Sequence, residues 1–344
     1  MKIPITLLMY VAALSYSLLL DWKPAESKVL FPVSRDNVLE YGNNKVGFID
    51  SSGKLVIDFK FYSASPFSEG LAGIKVARDA MEGYIDCNGE IVIYPQYERA
   101  FPFIEGRAQV RVDGKWGFID RSGKFIVTPS FITSSNFREG LAAVRLDKWG
   151  YINRDGKLVI ARQFEQANDF AEGLAAVTND GLLGYIDKAG KWLIPPRFEP
   201  MPSLTDALTL PNFSNGLAVI QDHNRFGYID KTGSVAILPQ FERAERFSEG
   251  LAVVKVNEKA GYISHVGSLV IKPQFEQARA FSEGLAAVKI KGKWGFINLS
   301  GDMIIPAQFD TAMSFSNGLA QVTAGPISAY INNTGRFLWV STKG

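Results

Sequence analysis

The sequence is short of the residues that carry most protein chemistry. A single cysteine, Cys87, stands among 344 residues, so no disulfide forms within the chain, and two histidines, His223 and His265, leave no Cys/His zinc site. Charge of one sign is lacking too. Thirty-seven Lys and Arg against 35 Asp and Glu leave a net charge of +2, which implies neither a nucleic-acid partner nor an anionic membrane surface. What is plentiful is glycine, at 32 residues, and phenylalanine, at 24, a bias toward turns and aromatic packing and so toward short strands over long helices.

The chain opens on Met1-Lys2, and the apolar stretch from Ile3 to Leu20 ends at Asp21-Trp22-Lys23-Pro24. This reads as a secretory segment, and the small residues of Ala25-Glu26-Ser27 place cleavage after Ser27. The stretch is also near the length of a spanning helix, so residues 3–20 left uncleaved would anchor the protein in a membrane. Either outcome puts the rest of the chain outside the cytoplasm, in the periplasm, on the cell surface or secreted.

Beyond that segment the sequence repeats. The glycine of a Gly-Leu-Ala segment falls at Gly70, Gly106, Gly140, Gly173, Gly216, Gly250, Gly284 and Gly318. A second glycine keeps step with it at Gly47, Gly83, Gly117, Gly150, Gly184, Gly227, Gly261 and Gly295. Between these markers lie strand-length apolar runs separated by Gly-bearing breaks. In Arg107-Ala108-Gln109-Val110-Arg111-Val112 apolar and polar residues alternate, as in a half-buried strand. Each unit therefore reads as a three-stranded antiparallel meander. Its second turn carries Asp50, Asp86, Asp120, Asp187 or Asp230, with Asn at 153, 298 and 332, and a glycine three residues on. That is the pattern of a type I turn with a bulge, in which the Asx side chain bonds its own backbone. Spread one per repeat, these acids lack the dense spacing of a calcium loop.

The linkers between meanders follow Pro273-Gln274-Phe275-Glu276-Gln277-Ala278-Arg279-Ala280-Phe281-Ser282-Glu283-Gly284. Apolar residues three apart predict a short helical or 3₁₀ turn capped by the glycine. The last aromatic recurs as Phe67, Phe103, Phe137, Phe170, Phe213, Phe247, Phe281 and Phe315, and reads as the core anchor of each unit. One copy is longer. The extra residues run near Pro200 to Pro211 and carry Leu204, Leu208 and Leu210 as exposed or lightly covered side chains, a surface loop suited to a partner contact through Met201, Leu204, Asp206 and Leu208.

Lys115-Trp116-Gly117-Phe118-Ile119-Asp120, Lys148-Trp149-Gly150-Tyr151-Ile152-Asn153 and Lys293-Trp294-Gly295-Phe296-Ile297-Asn298 resemble the bacterial WG repeat, also called the KWG repeat. The likeness covers about residues 38 to 340 and takes in the Gly-Leu-Ala strand and the aromatic linker. Val46, Glu82, Leu183, Phe226 and Ala260 stand in the Trp place of other copies. The resemblance implies a β-rich bacterial repeat protein and transfers no catalytic residue.

The expected fold is all-β, with nine meanders in units of about 38–69, 70–105, 106–139, 140–172, 173–215, 216–249, 250–283, 284–317 and 318–340. The first is opened by Val38-Leu39-Glu40-Tyr41. No strand is visibly borrowed between the ends, so an open β-solenoid with short helical turns leads over a closed propeller-like ring. The expected function is an exported, non-catalytic scaffold for an unknown protein partner, with no cofactor, no metal and no nucleic acid. The alternative is a glycan or cell-wall binder using Trp116, Trp149 and Trp294 as platforms. An enzyme would need a nucleophile and base, and Cys87 has no histidine in its own or neighbouring repeats.

Overall fold

The computed structural model describes residues 28–34, 45–201 and 210–341. The apolar stretch Ile3 to Leu20, expected to direct export, and Val38–Tyr41 lie outside them. The described residues form nine antiparallel sheets in chain order, here called blades 1 to 9 and spanning 31–61, 63–97, 99–131, 133–164, 166–198, 217–241, 243–275, 277–309 and 311–340. Blade 8 is representative: Gln277–Ala278, Leu285–Ile290, Lys293–Asn298 and Met303–Phe309 pair in that order. The two central strands are buried on both faces, whereas the last exposes Met303 and Ile304 and tucks Ile305 and Phe309 inside. Among the described residues blades 1 and 6 lack the short first strand.

The Asx turns form as expected. The Asp50 carboxylate accepts the backbone N–H groups of Ser52 and Lys54, and Gly53 takes φ 88°. The linkers do not. No helix occurs among the described residues, and Ser282-Glu283-Gly284-Leu285 is a two-residue hairpin turn with φ 57° at Glu283 and φ 78° at Gly284. Ser282 and Leu285 exchange backbone bonds of 2.9 and 3.2 Å across it. Both central residues at positive φ define a type I′ turn, whose twist matches the flanking strands. Phe275, Ala278 and Phe281 do share one core, but an extended segment brings them there. The spacing of three records a chain crossing between blades.

That crossing depends on the second glycine. Gly261 lies between Ala260, paired with Phe275, and Tyr262, paired with Ile271, so three residues of the last strand stand opposite one glycine. A β-carbon at Gly261 would fall 2.7 Å from the Ile271 carbonyl oxygen and 2.7 Å from the Pro273 nitrogen. The bulge turns the last strand out of blade 7, and Glu276 N then bonds Lys289 O in blade 8. Pro273 suits this site because no ladder bond is asked of its nitrogen.

An open row of nine blades has eight interfaces, and this molecule has nine cores, each shared by two neighbouring blades. Eight join consecutive blades. The ninth gathers Phe31, Val33 and Ile49 of blade 1 with Leu319 and Tyr330 of blade 9, and the Tyr330 hydroxyl donates to Pro32 O at 3.0 Å. The array is therefore a closed nine-bladed β-propeller and not an open solenoid. Closure runs through side chains, so among the described residues no strand is borrowed between the two ends to signal it. In the first blade Phe31–Ser34 pairs with Val46–Ile49.

Candidate functional site

The linker phenylalanines occupy the joints between blades. Each meets the aromatic that follows the second glycine of the preceding blade, as in Tyr84–Phe103, Tyr151–Phe170 and Tyr262–Phe281, with ring centroids 4.8 to 5.0 Å apart. Where that aromatic is tyrosine, its hydroxyl also holds the next blade's linker backbone. Tyr228 donates to Glu245 O at 2.7 Å and Tyr262 to Arg279 O at 2.9 Å. Burial pushes both phenols far above their ordinary value, so they stay protonated donors.

Glu245 and Arg279 line a cleft of about 730 Å³ across blades 6 to 9. Its basic groups are Arg243, Arg246, Lys255 and Arg279, and its acids are Glu245 and Glu276. Two of these charges are already engaged. The Lys255 ammonium pairs with Glu258, and Glu276 accepts the Gly292 N–H at 3.0 Å. Among the described residues Arg243, Arg246 and Arg279 have no carboxylate within 4.0 Å. The Arg279 guanidinium lies 5.2 Å from the Trp294 ring, and its buried Nε has no hydrogen-bond partner. Glu245 stays open to water on one side, yet the walls around it push its carboxyl up from the usual glutamate value, against the pull of Arg243, Arg279 and Arg246.

Of the residues expected in a partner contact, Met201 lines this cleft and packs on the core between blades 6 and 7. Leu204, Asp206 and Leu208 lie outside the described residues. Leu210, expected near the surface, is 5% exposed in the core between blades 5 and 6, so the longer copy is tied down at that end. Reading the sequence alone passed over the three arginines. A signal was present: where blades 7 and 8 carry Glu245-Arg246 and Arg279-Ala280 before the linker phenylalanine, blades 2, 3 and 4 carry Ser65-Pro66, Phe101-Pro102 and Ser135-Asn136. Backbone constancy with side-chain variety is what a surface position in a repeat looks like.

Of the three tryptophans one is buried and two are half-buried. Trp294 is 8% exposed, Trp116 packs on Phe101 with centroids 5.3 Å apart, and Trp149 sits against the core of blades 4 and 5. Cys87 is half-buried, and burial pushes its thiol up, away from the reactive thiolate. His265 stacks on Phe247, and His223 is exposed beside Asp222.

A family model described as WG containing repeat matches residues 47–77, 83–116, 116–148, 149–182, 184–200, 226–259, 261–294 and 294–325, well over half of the chain. No curated protein sequence matches significantly. Among solved structures, the crystal structure of a eukaryotic initiation factor superposes with a TM-score of 0.63 at 11% identity, over 91% of this chain and 96% of that one. At that identity the likeness concerns the fold alone. The dihydro-heme d1 dehydrogenase NirN in complex with DHE matches at 0.46 and 10% identity, over 92% of this chain and 73% of that one. Kluyveromyces lactis Hsv2p matches at 0.39 and 12%, over 59% and 74%.

Proposed function

The chain belongs to the WG containing repeat family, and on that frame we propose that it is an exported, non-catalytic interaction module that holds a protein partner in the cleft on blades 6 to 9. The observation that carries this reading is the cleft itself: a concave surface, backed by rigid propeller blades, in which arginine side chains stand without ion-pair partners among the described residues. Export rests on the apolar stretch Ile3 to Leu20 and the small residues that follow it. A non-catalytic role is supported by the chemistry of the reactive side chains. The thiol of Cys87 is raised, and neither histidine stands beside it. The glycan alternative draws little support from Trp116 and Trp149, which are half-buried against their cores, or from Trp294, which is buried.

Ala280 lines the cleft and is half-buried, so Ala280→Trp adds bulk to the cleft wall. Affinity capture from an envelope extract with the wild type and with this variant tests the reading. The expected outcome is a partner retained by the wild type and lost from a variant of unchanged thermal stability. Identical partners on both would remove the cleft from the function.

A further inference from the structure

We infer that the cleft grips a carboxylate-bearing peptide segment through the guanidinium groups of Arg243, Arg246 and Arg279, an inference that rests on the interaction reading above. The charge balance comes first. With the Lys255 ammonium paired to Glu258, three guanidinium groups face two cleft carboxylates, Glu245 and Glu276, which leaves positive charge in excess. Guanidinium is the side chain whose planar fork of donors matches a carboxylate. One donor is also set in advance. Tyr262 holds the Arg279 carbonyl and Arg279 N bonds Ala287 O, which fixes the backbone, and the guanidinium rests over Trp294, which limits the side chain.

A guanidinium fork fits phosphate as well, and two features favour a peptide. The strands Arg243–Ala244 and Gln277–Ala278 are each paired on one side only, so their other edges offer main-chain groups to an extended segment. Met201, Phe226 and Val253 add apolar wall, which suits side chains alternating with the acidic ones.

Fluorescence anisotropy with the full-length protein tests this. The probes are a labelled short peptide alternating Glu and Leu, its Gln and Leu counterpart, and inorganic phosphate as competitor. The Glu peptide is expected to bind more tightly than the Gln peptide by about tenfold or more, and to weaken as salt rises. Arg246→Gln and Arg279→Gln should each lose about tenfold, with Arg279→Lys intermediate and the distant Lys124→Gln unchanged. Arg246 is exposed, so its variant keeps the test sound even if Arg279→Gln lowers the melting temperature. Equal binding of the two peptides, indifference to both arginine variants, no binding of the Glu peptide, or its displacement by equimolar phosphate would each overturn the inference. A partner lost from Ala280→Trp but kept by Arg246→Gln would leave the interaction reading standing and remove the carboxylate grip alone.

Discussion

The glycine after the tryptophan position is set by space. Gly83, Gly117, Gly227, Gly261 and Gly295 all have a carbonyl oxygen of the last strand within 2.7 Å of where a β-carbon would stand. The last blade shows the converse. Ala329 takes the glycine position there, and its strand pairs regularly through Ala329–Val340 and Tyr330–Trp339, with no three-residue bulge. An unusual copy at the level of sequence thus goes with a regular ladder in place of the bulge. Gly261→Ala should cost about 1–3 kcal/mol through forced backbone displacement, whereas Ala329→Gly should cost about 0.5–1 kcal/mol from chain entropy. Urea unfolding midpoints of the two variants check the asymmetry, and equal losses would refute the spatial account.

The Asx turn is the most legible element, because its whole mechanism lies within five consecutive residues. The hydroxyls of Ser52, Ser122 and Thr232 bond Asp50, Asp120 and Asp230 and, with the backbone N–H groups that follow, hold these carboxyls below the ordinary aspartate value. A carboxyl with a lowered folded pKa binds fewer protons in the fold than in the unfolded chain. Its contribution is therefore present above the unfolded value of about 3.9 and is lost as the pH falls through the folded one. Asn153, Asn298 and Asn332 accept the same backbone bonds without a titrating group. The combined variant Asp50→Asn, Asp120→Asn, Asp230→Asn should keep its fold and lose less stability than the wild type between about pH 4 and pH 2. Denaturant titrations at both pH values measure this. The linker was read wrongly because apolar spacing of three is shared by a helical turn and by an extended chain that turns a corner, and only the two positive φ values separate them.

At the scale of the ring, eight joints follow one plan and the ninth does not. In blade 3 the carbonyl of Gln109 accepts the N–H of Phe101 from the linker before it. Blade 1 has no such strand among the described residues, and the Tyr330 hydroxyl bonds the corresponding carbonyl, that of Pro32. The Phe31–Tyr330 ring pair is wider, at 5.6 Å, and among the described residues the closing core is the smallest of the nine. The seam between blades 9 and 1 is thus where the ring should open first. Tyr330→Ala should destabilise the protein by about 3–5 kcal/mol. Hydrogen exchange should show 28–34 and 319–340 losing protection before the central blades, and uniform protection around the ring would contradict a weak seam.

By itself the sequence determined what is local and repeated. The strands, the Asx turns, the number of units and the buried linker aromatics follow from alternation, turn chemistry and an internal period, each decided over a few neighbouring residues. Closure could not be read there, because an open row and a ring present the same repeats and differ only in one interface between residues about 300 apart, such as Tyr330 and Pro32. The cleft was hidden for the same reason. Arg243, Arg246 and Arg279 look like solvated charges in the chain, and only the packing of neighbouring blades places them around one space with few carboxylates to answer them.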